Sequence, residues 1–216
     1  NYANDGAYSI SAKLTESPLI IGADAIFVID VSGSTQTLLS GPSIGDVNLD
    51  GRPNTVLDLE IAGFMALNQD LIGRGLGNIS KVSLVSFDAT ARSIDLNPAM
   101  AGIQLWTTPL ADNDHNGVRD VDQALRTLRS LGGTNFEAAL QTTISVTQQV
   151  GTQPGHGNIV FLSDGESQNV AFVDEAAVLR NILGMNVRAF GVGANASLNQ
   201  LRMIDPVATT FTNTNQ

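Results

Sequence analysis

The chain has 216 residues, 43% of them hydrophobic, enough for one domain with a full core. Its 21 acidic against 11 basic side chains give a formal charge of −10, which argues against nucleic acid or anionic lipid as partners, since both need basic patches. No apolar run approaches the roughly 18 residues of a membrane-spanning helix, so no membrane insertion is expected, and the lack of any cysteine excludes disulfide bracing.

In chain order, Tyr8, Ile10, Ala12 and Leu14 alternate with polar neighbours and predict a half-buried strand. Residues 1–22 are therefore read as a lead-in strand or linker from a preceding domain, and 23–216 as the domain itself. An apolar run predicts a central strand over 25–29, and a polar stretch rich in Gly, Pro and Asp follows over 35–55. Leu59, Phe64, Leu67 and Leu71 recur near helical spacing and predict a helix over 57–72, closed by Gly73 and Gly75. A strand over 81–88 and a short antiparallel neighbour over 91–96 come next. A second polar stretch, 97–117, leads to a helix over 121–131 that Gly132 and Gly133 end. A helix over 136–150, a strand over 158–162, a helix over 173–183, a strand over 187–192, a short helix over 198–203 and a strand over 209–211 complete the pattern. Such alternation predicts an α/β fold: a mainly parallel sheet with one antiparallel edge strand and helices on both faces.

Three short segments carry the chemistry. FVIDVSGST ends an apolar run in Asp30, Ser32 and Ser34; GGTNFEAAL offers Thr134 after two glycines; VFLSDGES ends a second apolar run in Ser163 and Asp164. Taken singly, each Ser, Thr or Asp has a bland role, capping the next helix or fixing a turn. Together, oxygen ligands at the C-terminal ends of two buried-type strands suit a hard divalent cation, and those strand ends are where open α/β sheets bind ligands. The D-x-S-x-S run with a later Thr and a later Asp resembles the von Willebrand factor type A domain and its metal-ion-dependent adhesion site (MIDAS), over about residues 24–211. The resemblance implies a Rossmann-like fold and a Mg²⁺ or other divalent ion (Mn²⁺, Ca²⁺) held by Asp30, Ser32, Ser34, Thr134 and Asp164. It also implies that the two carboxylates reach the ion through water and that a partner's carboxylate supplies the sixth oxygen.

Seven acids fall in two short loops: Asp46, Asp50, Asp58, Asp112, Asp114, Asp120 and Asp122. The first loop places Asp46, Asn48, Asp50 and Gly51 at positions one, three, five and six of an EF-hand-like calcium loop, with Arg52 as the carbonyl donor at seven. Its twelfth residue is Leu57, so the closing acid is Asp58 or Glu60, and Asn54 takes part directly or through water. The second loop repeats the order with Asp112, Asp114, Asn116 and Gly117, Val118 as carbonyl donor, and Asp120 and Asp122 arriving early. The alternative for both is an Asx-rich turn capping the next helix; crowded acids that repel one another favour Ca²⁺.

An acidic chain without cysteine, carrying twin calcium-type loops, resembles the type A domains of large calcium-dependent RTX adhesins of Gram-negative bacteria. That resemblance implies type I secretion, an extracellular place on the bacterial cell surface, a role in attachment and biofilm, and a monomeric module in a longer chain. The expected partner is a protein or glycan on a cell or surface. A calcium-stiffened spacer without its own ligand competes with this reading, and an intracellular type A domain of a metal-inserting complex is a weaker third. An enzyme is not expected. The two histidines, His115 and His156, sit in a calcium-type loop and a Gly/Pro turn, and neither a nucleophile elbow nor a phosphate-binding loop is present.

Overall fold

The computed structural model describes residues 23–168 and 170–212; the strand expected near Tyr8 lies outside them. Six strands form one sheet: β1 Asp24–Asp30, β2 Val82–Phe87, β3 Ala91–Ser93, β4 Gly157–Ser163, β5 Asn186–Val192 and β6 Thr209–Phe211. Their order is β3-β2-β1-β4-β5-β6, and only β3 runs antiparallel, to β2. The expected mainly parallel sheet with one antiparallel edge strand is therefore present.

Successive side chains of a strand point to opposite faces, and β1 buries both. Ala25, Phe27 and Ile29 pack with Leu57, Ile61 and Phe64 of helix α1 (Val56–Gly73) and with Val121 and Leu125 of α2 (Asp120–Arg126). Phe27 stacks on Phe64 with ring centroids 4.5 Å apart. Ile26 and Val28 face the other layer, built from α3 (Phe136–Val150), α4 (Val173–Ala177, continued as a π-helical turn over Val178–Ile182) and α5 (Leu198–Ile204). There Phe136 makes edge contacts with Phe87, Phe161 and Phe172.

The chain leaves β1 for a helix on one face and leaves adjacent β4 for a helix on the other. The C-terminal ends of β1 and β4 thus flank a switch point, where the diverging connections leave a crevice. Parallel pairing sets Ile29 opposite Leu162, so Asp30 and Ser163 end their strands side by side.

Helix α1 begins one residue before the expected start. Thr55 caps it in a reciprocal box: the Asp58 N–H donates to Thr55 Oγ1 at 3.1 Å, and the Thr55 N–H donates to Asp58 Oδ2 at 2.9 Å. Helix α2 stops at Arg126, not near Leu131. The Thr127 hydroxyl donates to the Ala124 carbonyl, and the following residues extend until the Leu131 N–H donates to the Val31 carbonyl at 2.7 Å. Strand β3 is shorter than expected because Asp95 Oδ1 gathers the N–H groups of Asn97 and Gln104 and turns the chain.

Candidate metal centre

Asp30, the last residue of β1, is fully buried. Its Oδ1 accepts the Ser32 N–H at 2.8 Å and its Oδ2 accepts the Ser163 hydroxyl at 2.5 Å. The Ser32 and Ser34 hydroxyls lie 3.0 Å apart, and Ser34 donates to Asp164 Oδ1 at 2.8 Å. One run of polar contacts thus links the ends of β1 and β4. The Thr134 loop is tied to the same place, because the Gly33 N–H donates to the Gly132 carbonyl at 2.9 Å. Gly132 has φ +79°, a conformation that favours glycine. A Cβ added to Gly165 would lie 3.1 Å from Thr134 Oγ1 and 3.7 Å from Ser34 Oγ. Glycine there keeps open a small space onto which both hydroxyls face. The five residues expected to form the site are therefore brought together.

Three residues outside the expected set support it. Ser163 holds Asp30 as described. The Thr35 hydroxyl donates to the Ser32 carbonyl at 2.8 Å and lies 2.6 Å from the Ser130 hydroxyl, which fixes the turn over Gly33–Gln36 against the Thr134 loop. The register of β1 against β4 and the fold of that loop create these contacts, so no local pattern announces them.

Burial pushes the Asp30 carboxyl up to about 7, against the opposing effect of its bonds to Ser163 and Ser32. Burial likewise pushes Asp164 up to about 6. Two acids that resist ionisation, facing neutral hydroxyls, form a donor set that a divalent cation would complete by favouring both charged forms.

The two acidic loops are built alike. Asp46 accepts the N–H groups of Asp50 and Gly51, and Asp112 accepts those of Asn116 and Gly117. Position five accepts from position seven in both, Asp50 from Arg52 and Asn116 from Val118, at 2.8 and 2.7 Å. A downstream acid accepts from position two, Asp58 from Val47 and Asp120 from Asn113. Leu49 and His115 at position four, and Gly51 and Gly117 at position six, all have positive φ. Ligand oxygens of Asp112, Asp114 and Asp120 lie within 4.8 Å of one another, the one such group of three among the described residues.

Other members of the expected sets face elsewhere. Asn54 Oδ1 accepts from Ser43, Ile44 and Gly45, closing the mouth of the first loop. Asp122 pairs with Arg119 at 3.0 Å. Of the two acids considered for closing the first loop, Asp58 turns into it, whereas Glu60 has no bond to it and feels the charges of Asp30 and Asp164. The second loop is anchored at the base of the sheet: Thr107 pairs with Val82 at the start of β2, and its hydroxyl donates to Asp120 at 3.2 Å. The first loop lies between β1 and α1 in the chain, and its Asn48 side chain donates to the Leu128 carbonyl at 3.2 Å. An open cleft lined by Asn48, Leu49, Asn116 and Val118 joins the two. His156 precedes the N-terminal end of β4, opposite the strand ends that carry Asp30 and Ser163.

No family model and no curated protein matches the sequence. Solved structures do match. A von Willebrand factor type A protein from Catenulispora acidiphila superposes with a TM-score of 0.60 at 17% identity, over 89% of this chain and 38% of that one. The fold is that of a von Willebrand factor type A domain. Proximal thread matrix protein 1 of the mussel byssus matches with a TM-score of 0.64 at 17% identity, over 89% of this chain and 44% of its own. A structure of that protein has its MIDAS motif occupied by zinc. The pilus adhesin SpaC from Lactobacillus rhamnosus GG matches at 0.64 and 14% identity, over 90% of this chain and 29% of its own. The chain thus spans less than half the length of each of these proteins. A pilus adhesin and a byssal thread matrix protein are among its structural neighbours, and no helix of the described residues is long and apolar enough to cross a membrane.

Proposed function

We propose that this type A domain is an extracellular adhesion module that grips an acidic group of a protein or glycan through a divalent metal. The observation that carries the reading is the convergence of Ser34 Oγ and Thr134 Oγ1 beside Gly165, with Asp30, Ser32 and Asp164 bonded into the same group. Ser32, Ser34 and Thr134 offer neutral oxygens, and Asp30 and Asp164 offer the only two carboxylates of the set. When bound, a Mg²⁺, Mn²⁺ or Ca²⁺ ion supplies Lewis acidity and an exchangeable position for a partner's carboxylate. Two acids against a doubly charged ion leave no net negative charge to repel that carboxylate. Asp164 holds the Ser34 hydroxyl and Asp30 holds the Ser32 backbone N–H, while the loop carrying Thr134, two residues after the positive φ of Gly132, sets the third hydroxyl.

Asp46, Asn48, Asp50, the Arg52 carbonyl and Asp58 on one side, and Asp112, Asp114, Asn116, the Val118 carbonyl and Asp120 on the other, are read as structural Ca²⁺ sites. Their matching hydrogen-bond frameworks support that reading. With the acidic, cysteine-free composition, they favour one module of a large calcium-dependent adhesin of the RTX type, exported by type I secretion to a bacterial surface and used in attachment and biofilm. The SpaC match supports an adhesive context for such a module.

The test is retention of beads carrying the domain on surfaces coated with carboxylate-bearing proteins and glycans, in Mg²⁺ and in chelator. Thr134→Ala should abolish Mg²⁺-dependent retention while changing stability by no more than the roughly 0.5–3 kcal/mol usual for a point substitution. Unchanged retention by Thr134→Ala would replace metal-mediated capture with the spacer role.

A further inference from the structure

Glu60 lies in the second turn of α1 and is fully buried, and neither of its carboxyl oxygens has a hydrogen-bond partner. Its helix neighbours Leu57, Ile61 and Phe64 pack into the layer that holds Phe27 and Ile29. Removing an acid from water without a partner is costly, so a carboxyl kept there calls for a function. Asp58, two residues earlier, spends both oxygens on Val47 and Thr55. The start of α1 is bonded to the end of the Gly33–Gln36 turn, the Val56 N–H donating to the Thr37 carbonyl at 2.9 Å, which sets Glu60, one turn further on, beneath the strand ends, where the charges of Asp30 and Asp164 act on it. Glu60, Asp30 and Asp164 do not form a group of three converging ligand oxygens, so contact between Glu60 and an ion held at the strand ends would run through water.

We propose that Glu60 is an outer-sphere ligand of the strand-end metal, accepting a hydrogen bond from a water bound to that ion on its α1 side. This rests on the adhesion-site reading above. The buried acid would fix the orientation of one coordinated water, with its own charge one shell out on the α1 side and not among the ligands that face a partner's carboxylate. The site would then fill at lower metal concentration than two carboxylates allow. Partners of this kind, one shell out, typically change metal affinity by about 10–100-fold.

The experiment is equilibrium Mn²⁺ binding, followed by electron paramagnetic resonance, to the wild type, Glu60→Gln and Asp30→Ala. The sites lost in Asp30→Ala define the strand-end ion and separate it from ions in the acidic loops. Glu60→Gln, almost the same shape, should weaken that ion about 10–100-fold and leave the loop sites alone, with a melting temperature in chelator at least that of wild type. Wild-type Mn²⁺ affinity in Glu60→Gln, with loss in Asp30→Ala, would overturn the proposal and leave the site reading standing. Loss of no site in Asp30→Ala would overturn both. Should Glu60→Gln fail to fold, a Mn²⁺-soaked crystal of the wild type decides. A metal-bound water in hydrogen-bond reach of Glu60 supports the proposal, and a Glu60 touching protein atoms alone overturns it.

Discussion

Replacing Asp30 by asparagine should stabilise the protein in chelator and destabilise it in divalent salt. The acid is raised from 3.8 to about 7 by burial. At about 1.4 kcal/mol per pH unit, its ionisation places at most about 4 kcal/mol of destabilisation on the folded state above pH 7. The folded protein keeps a proton that the unfolded chain has lost between those two values. The contribution of Asp30 to stability in chelator is therefore fully present below pH 3.8, falls as pH rises towards about 7, and levels above it. Asparagine removes this acid's share of the slope, leaving those of Asp164 and Glu60. Its oxygen still accepts from Ser32, and its NH₂ can donate to the Ser163 hydroxyl in place of the present bond. With half the maximum lost to relaxation, the gain is about 2 kcal/mol, or about 4–8 °C for a domain of this size. In Mn²⁺ the order reverses, because an ion at about 1,000 times its Kd stabilises the wild type by about 4 kcal/mol and the variant loses that ion. Differential scanning fluorimetry at pH 5 and pH 8, in chelator and in Mn²⁺, measures all four states. The same stability order in both salts at pH 8 would refute the reasoning.

Gly165→Ala should leave the fold intact but weaken Mn²⁺ at the strand ends about tenfold or more, as measured by calorimetry, because its Cβ would crowd Thr134 Oγ1 at 3.1 Å. Calcium should raise the melting temperature of the chelated protein more than Mg²⁺ does, and Asp114→Ala should reduce that gain without touching the Mn²⁺ site; a melting curve indifferent to Ca²⁺ removes the structural-calcium role. Gly117→Ala meets open space but a φ of +83°, so it should cost about 1 kcal/mol, read as a fall of about 2–4 °C.

Much of this was legible in the sequence. Apolar runs ending in Asp30 and in Ser163 marked two parallel strands and their C-terminal ends, since strand burial on both faces writes itself as unbroken hydrophobic stretches. Asp30, Ser32 and Ser34 lie within five residues, so a local pattern could carry them. Ser163 was visible as a strand end but not as the holder of Asp30, which depends on the pairing of β1 with β4. The choice between Asp58 and Glu60 was open because both follow the first loop closely. At about 100° of helix rotation per residue, two positions separate their directions by about 200°, and only packing says which faces the loop. The early end of α2 escaped for a similar reason: Val31 captures Leu131 in an extended segment, a tertiary contact that overrides helical spacing.

The central claim is that one divalent ion sits between the ends of β1 and β4. Anomalous diffraction from a crystal soaked in Mn²⁺ tests it most directly. The account predicts a peak bounded by the hydroxyls of Ser32, Ser34 and Thr134, with Asp30 and Asp164 beside it. Peaks confined to the acidic loops around Asp46 and Asp112, with none at that point, would contradict it.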